Sequence, residues 1–286
     1  MQTARRWQLT VDHGVTLAGD EQGHPDAPAV LLLHGAASNR RWWDLVAARL
    51  AVGHRVIRYD HRGHGRSTSS SRDCTVDRLA ADAIAVLEGL GLDRVVLAGH
   101  SAGASVALTV AADRPDLVAR LACVDGGVYD LRLMFGHTWA QARQAMLVAR
   151  RGRTTSRVLR AWLTAAGLPS DLLPIVAANY RVASAAGDLR LRLEARHEEH
   201  LAYSLWAQDP SRTLPAVHAP VLVVAAQHGD DHHDRPRSES IRRARELLGD
   251  RLQVCWLPGG HDLPLQRPAA VAEALAGLTA LVESPA

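Results

Sequence analysis

The 286-residue chain contains no lysine; all 33 of its basic residues are arginine. A guanidinium stays protonated at physiological pH, so this absence excludes a lysine Schiff base, a Ser-Lys dyad and the lysine-bearing phosphate loop of nucleotide hydrolases. Cysteine is scarce as well. Cys74, Cys123 and Cys255 form an odd set without C-x-x-C spacing, and the last two fall in apolar strand-like runs. That argues against a disulfide framework or a thiolate metal site and for core thiols in a reducing compartment. No stretch approaches the roughly 18 apolar residues of a membrane-crossing helix. The opening MQTARRWQLTVDHG also lacks the continuous apolar run of a secretion signal. A cytoplasmic protein without a membrane partner is expected. Charge of one sign is not concentrated either: the net charge is +3 and the arginines are spread along the chain, so nucleic acid is not an expected partner.

What is present is a rhythm. Residues 7 to 20 alternate and turn at Asp12-His13-Gly14, the pattern of an antiparallel hairpin. Ala29 to Leu33 is a solidly apolar strand ending in His34-Gly35, followed by the helical pattern WWDLVAARL and a strand from Arg55 to Tyr59. A glycine-rich loop, Asp60 to Ser67, precedes a helix over about Val76 to Leu90. Further strands are expected before Gly99 and over Leu117 to Val124, the latter ending at Asp125-Gly126-Gly127. Strand and helix alternating in this way predict right-handed crossovers and a mostly parallel sheet, here of eight strands flanked by helices. From Tyr129 to Pro210 the alternation stops, and helical patterns such as SRVLRAWLTAA and EEHLAYSLWAQ follow one another with no strand between. The sheet resumes at Ala219 to Ala226 and at Arg251 to Leu257, before Gly259-Gly260-His261 and a final helix. The expected division is a core of residues 1–128 and 213–286 with a helical cap over 129–212.

The chemistry concentrates at Gly99-His100-Ser101-Ala102-Gly103. The β-branched run before Gly99 reads as a buried parallel strand, and Ala102 to Ala112 has apolar residues at helical spacing. The chain therefore passes from strand to helix within about three residues. Glycines two before and two after Ser101 remove the Cβ atoms where the two backbones nearly touch, which is what a G-x-S-x-G nucleophile elbow requires. A serine hydroxyl is a poor nucleophile at neutral pH and needs a base held in one tautomer by an acid. His261, on a Gly-Gly turn after the last strand, emerges at the same carboxyl-end rim as Ser101. His34 and His100 read as packing or hydrogen-bonding residues. The elbow architecture takes its oxyanion donors from the residue after the nucleophile and from the loop after the third strand, here the backbone N–H groups of Ala102 and Ala36.

On these motifs, together with the D-x-R-G-x-G-x-S loop at Asp60 to Ser67, the chain resembles the α/β-hydrolase superfamily, in the branch with a helical cap after the sixth strand. The resemblance implies a serine hydrolase, since an aspartate-nucleophile branch would not carry Ser101. It also bears on the acid. Members place it after the seventh strand or after the sixth. In the loop Gln227-His228-Gly229-Asp230 the customary slot falls on Gly229, with Asp230 one residue late, whereas Asp125 directly ends the sixth strand. Asp125 is preferred, with Asp230 kept as the alternative.

Other charged clusters take plainer readings. The His/Asp-rich stretch from Gln227 to Asp234 reads as solvated loop, because adjacent side chains cannot converge on one metal. His197-Glu198-Glu199-His200 spaces its histidines i, i+3 rather than the i, i+4 of a zinc-protease helix, and reads as an exposed helix face. Arg150, Arg151, Arg153, Arg157 and Arg160 read as a solvated face, with recognition of a carboxylate, a phosphate or an acidic carrier protein as the other reading. Trp42, Trp43, Trp139, Trp162 and Trp206 read as core, the three in the cap being available to line an acyl pocket. The expected activity is cleavage of a small or medium carboxylic ester, lactone or thioester through an acyl-enzyme, with no cofactor and no metal. The alternatives are a carbon-carbon bond hydrolase or cyclase on the same triad, and a receptor-like binding protein with little turnover.

Overall fold

In a computed structural model that describes residues 4–69, 74–147 and 154–280, the hairpin is β1 (Arg5–Thr10) and β2 (Thr16–Gln22). The apolar runs become β3 (Ala29–Leu33), β4 (Arg55–Tyr59), β5 (Val95–His100) and β6 (Val118–Val124). A separate pair, β7 (Tyr180–Val182) and β8 (Leu189–Leu191), precedes β9 (Val221–Gln227) and β10 (Leu252–Pro258). The main sheet has eight strands in the order β1-β2-β4-β3-β5-β6-β9-β10, antiparallel at β1-β2 and β2-β4 and parallel in every other pair.

The central strands are apolar at every position because both faces are covered. Leu31, Leu33, Leu97, Leu121, Cys123 and Val223 meet α2 (Val76–Gly89) and α3 (Ala102–Asp113) on one face. Their alternating neighbours Val30, Leu32, Val96, Ala98, Ala122 and Val224 pack on the other against α1 (Asp44–Leu50) and the carboxy-terminal helix Pro268–Ala280. Thr75 caps α2 by accepting from the Arg78 N–H, and the small residues of α3 leave Ala102 to Ala111 all buried.

Between β6 and β9 the chain forms α4 (Leu131–Phe135), α5 (Trp139–Leu147), α6 (Ser156–Ala165), α7 (Leu173–Ala177), α8 (Ala195–Ala207) and α9 (Pro210–Thr213). Its own small core gathers Leu159, Leu163, Leu168, Leu172, Ile175 and Leu189 around Trp42 and Leu265 of the main unit. The purely helical expectation is corrected here: β7 and β8, three residues each, are too short to register as a period-2 pattern.

A second correction concerns the stretch before β10. Only His228 to Asp230 is loop; at Asp231 the chain enters α10 (Asp231–Leu248), and after β10 come α11 (Leu263–Gln266) and α12 (Pro268–Ala280). The apolar stripe of α10 is reduced to Ile241, Ala244 and Leu248, and its buried face also takes Arg237 and Ser240. So polar a helix, with Pro236 inside it, reads as loop from sequence. On α8 the exposed-face expectation fails for His197 and Glu198, which are buried, while Glu199 pairs with Arg143. Trp162 is an exposed surface residue rather than core, and Arg157 and Arg160 lie exposed on α6. Arg150, Arg151 and Arg153 lie outside the described residues. Among the described residues no helix is long and apolar enough to cross a membrane.

Candidate active site

Strands β3, β5 and β6 end close together, pairing Leu33 with Gly99 and His100 with Val124, while β9 and β10 continue past Val224, the partner of Val124, to the pair Gln227 and Pro258. The residues that follow them therefore surface along one rim. After β5 the backbone reverses at Ser101, held at φ 55°, ψ −121°, a conformation that L residues avoid and that functional sites retain. A Cβ on Gly99 would lie 2.1 Å from the Gly103 carbonyl oxygen, and one on Gly103 would lie 2.4 Å from that of Leu33. Both glycines are therefore required by backbone contact. Ser101 sits at the N-terminus of α3, where unsatisfied N–H groups and the helix dipole favour negative charge.

The structure brings three of the sequence candidates into one hydrogen-bonded row. The Ser101 Oγ is 2.9 Å from His261 Nε2, and His261 Nδ1 is 2.7 Å from Asp125 Oδ2. Since the carboxylate can only accept, Nδ1 carries the proton and Nε2 is left to receive one from the hydroxyl. Asp125 sits one residue past β6 with φ 41° and is 1% exposed, whereas the His261 side chain is 46% exposed, so the row runs from the interior to the solvent-facing rim. Burial alone would raise the Asp125 carboxyl; the hydrogen bond and charge of His261, then those of Arg237, outweigh it and hold the group far below the usual carboxylate range. Desolvation lowers His261, but the Asp125 hydrogen bond and charge prevail and the imidazole ends above its ordinary value. The Gly260 N–H donates to the Gln266 side chain at 2.7 Å, fixing the turn that presents His261.

Ala36 and Ala102 flank Ser101 from two elements. Ala102 opens α3, and the His34-Gly35-Ala36 turn after β3 comes so near that a Cβ on Gly35 would be 3.1 Å from the Ser101 Cβ. Three buried imidazoles brace that turn. His34 donates from Nδ1 to the Gly35 carbonyl and accepts the His61 N–H at Nε2; His61 donates from Nε2 to the His34 carbonyl; His64 accepts the Ala37 N–H at 3.0 Å. Burial, then the charge of neighbouring imidazoles, pushes His61 down to about 3 and His34 well below its ordinary value. Neutral rings are what these bonds need, since each ring must accept or donate to a backbone group at a fixed nitrogen.

The alternative acid, Asp230, is drawn elsewhere. It caps the N-terminus of α10, accepting the His233 N–H at 3.0 Å and the His233 ring, with half of its side chain exposed. A helix start in need of an acceptor claims it, and α10 itself removes the flexible loop that would have let it reach inward. His100 donates from Nε2 to the His261 carbonyl oxygen at 2.7 Å, which braces the loop rather than serving as base.

Three residues at the site have no place in the sequence reading. The Arg237 guanidinium grips both Asp125 oxygens, Nε to Oδ1 at 3.0 Å and Nη2 to Oδ2 at 3.1 Å. The Tyr129 hydroxyl donates to Oδ1 at 3.0 Å, and the Ala226 N–H lies 3.2 Å from the same oxygen. The signal for Arg237 was present but faint: an arginine three, four and seven residues before Ser240, Ile241 and Ala244, on the one stripe of α10 that is buried. Among the described residues no group of three or more His, Cys, Asp or Glu side chains is placed to hold a metal ion. A cavity of about 620 Å³ lies to one side, lined by Arg40, Arg66, Tyr180 and Arg192 among others, and none of Ser101, Asp125 and His261 faces it.

Residues 30–274 match the sequence model described as the alpha/beta hydrolase family. The rhodomycin D methylesterase of Streptomyces peucetius is 39% identical over 129 residues, a match spanning 43% of each chain. A protein named as a putative carbamate hydrolase from Klebsiella pneumoniae strain 342 is 28% identical over 245 residues, 83% of this chain and 85% of its own. Among solved structures, E-2-(acetamidomethylene)succinate hydrolase superposes with a TM-score of 0.80 at 22% identity, covering 97% of this chain and 100% of that one, a likeness of fold.

Proposed function

The chain belongs to the alpha/beta hydrolase family, and from that premise we propose that it is a serine hydrolase cleaving a small or medium carboxylic ester, lactone or thioester. The observation that carries the proposal is the unbroken row from Ser101 Oγ through His261 to the buried Asp125 carboxylate. Ser101 attacks the substrate carbonyl as His261 Nε2 takes its proton; Asp125 holds the imidazole in the required tautomer and supports its positive charge. The Ala36 and Ala102 N–H groups receive the developing oxyanion. Collapse of the tetrahedral species expels the alcohol or thiol, protonated by His261, and leaves an acyl-enzyme. Water, deprotonated by the same imidazole, then releases the acid. Residues 129–212 act as a cap that shapes the acyl pocket and sheds water from it. The three unpaired thiols support a cytoplasmic setting.

Fluorophosphonate labelling tests the proposal. The protein should label at Ser101, and Ser101→Ala should abolish both labelling and ester turnover while leaving the fold intact. Labelling that survives Ser101→Ala, or a folded wild-type protein that does not label, would overturn it. Turnover measured across a series of acyl chain lengths and lactones then narrows the substrate.

A further inference from the structure

A second cation beside a buried carboxylate that orients a histidine competes for its charge. In this chain such a cation is present. Asp125 is gripped by Arg237 through two hydrogen bonds, and Arg237, 4% exposed, comes from α10, an element remote in sequence from Ser101 and Asp125. The guanidinium is itself anchored, donating from Nη1 to the His233 carbonyl at 2.9 Å and lying 5.6 Å from the Tyr129 ring centroid. Each Asp125 oxygen accordingly takes one arginine bond, with His261 on Oδ2 and Tyr129 and Ala226 on Oδ1.

Resting on the serine-hydrolase reading, we propose that Arg237 is a positioning residue for His261: it fixes the Asp125 carboxylate and sets its own positive charge against that of the imidazolium. Two consequences follow from Coulomb's law in a dry interior. The carboxylate stays ionised, because the arginine adds to His261 in opposing the burial that would push it toward its neutral form. The imidazolium is also stabilised less than a lone Asp125 would stabilise it, since the guanidinium stands behind the carboxylate with the opposite sign.

The other titratable groups around His261 are fixed in kind. They are Tyr129 after β6, His100 at the end of β5 with its ring 4.9 Å away, and Asp262 in the same turn. His228 and Asp234 lie beyond Arg237. His100 is pushed down to about 4 by burial and then by His261, and is neutral in the working range. Arg237 is thus the cation facing the carboxylate.

The test reads the His261 ring directly by NMR titration of the full chain, assigning its resonances by their loss in His261→Gln, alongside the pH profile of kcat/KM. In Arg237→Gln the ring should titrate about half to one unit higher. The acid limb of the profile should move up with it, and Arg237→Lys should return both toward the wild-type position. Should Arg237→Gln fail to fold, Asp125→Asn and the double variant Asp125→Asn/Arg237→Gln settle the matter, because the double variant leaves no unpaired buried charge. The ring should titrate higher in the double variant than in Asp125→Asn. An unmoved ring in either comparison, or a kcat loss without any shift of the limb, overturns the proposal and leaves Arg237 a structural support. Because the ring titrates whether or not ester is turned over, this result is distinct from a failure of labelling at Ser101.

Discussion

At the residue scale the site is a competition for one buried carboxylate. Asp125 receives the His261 ring, a bidentate guanidinium, a phenol and a backbone N–H, and no other acid in reach of the rim is so placed among the described residues. Asp125→Asn should therefore lower kcat by about ten-thousandfold, as loss of the orienting acid does in comparable triads, whereas Asp230→Asn should stay within a few-fold of wild type. Steady-state kinetics on one ester substrate checks both; equal losses would refute the assignment. The pH dependence has a fixed sign. In the proposed mechanism His261 acts as a base only when neutral, and Asp125 raises its affinity for a proton. Activity is present above the ring's folded-state value and disappears as the pH falls through it, giving an acid limb above about 6.5, the ordinary imidazole value.

At the scale of elements, the strand-turn-helix unit β5-Ser101-α3 is held by backbone contact. Gly103→Ala would place a methyl 2.4 Å from the Leu33 carbonyl oxygen and 2.6 Å from that of His34, where no flexible side chain can yield. The strain should cost about 1–3 kcal/mol or more and push α3 away from β3, where the Ala36 turn begins. The expected outcome is a lowered Tm together with a loss of kcat larger than the change in KM, measured by thermal denaturation and kinetics on the same preparation. An unchanged Tm would show that the helix and the turn have room that the structure denies them. The histidine-braced turn belongs to this scale as well: His34 could be read as a hydrogen-bonding residue, but its cycle with His61 and His64 is closed only by the pairing of β3 with β4.

At the scale of the whole molecule there are two cores. The sheet and its helices form one, and the segment between β6 and β9 has another, joined to the first through Trp42 and Leu265 and by Asn39, whose amide donates to the Ile175 carbonyl at 2.9 Å and to Asn179. Leu163 is fully buried in the second core. Leu163→Ala should cost about 2–5 kcal/mol locally. Hydrogen exchange should then quicken over residues 154 to 191 while β5 and β6 keep their protection. Uniform loss of protection would mean that the two cores unfold as one.

The strand positions and the mostly parallel eight-stranded sheet were legible in the sequence because apolar run length and helical spacing are local matters, as are the glycines on either side of Ser101. Asp125 and Asp230 could be ranked but not separated, since the choice depends on which of two strand-end carboxylates is left free once α10 forms. That decision was tertiary. A helix capped by Asp230 removes one candidate, and the same helix delivers Arg237 from 112 residues away onto the other. No periodicity along the chain encodes such a contact, because hydrogen bonds between distant side chains exist only after the sheet has brought their elements to one rim.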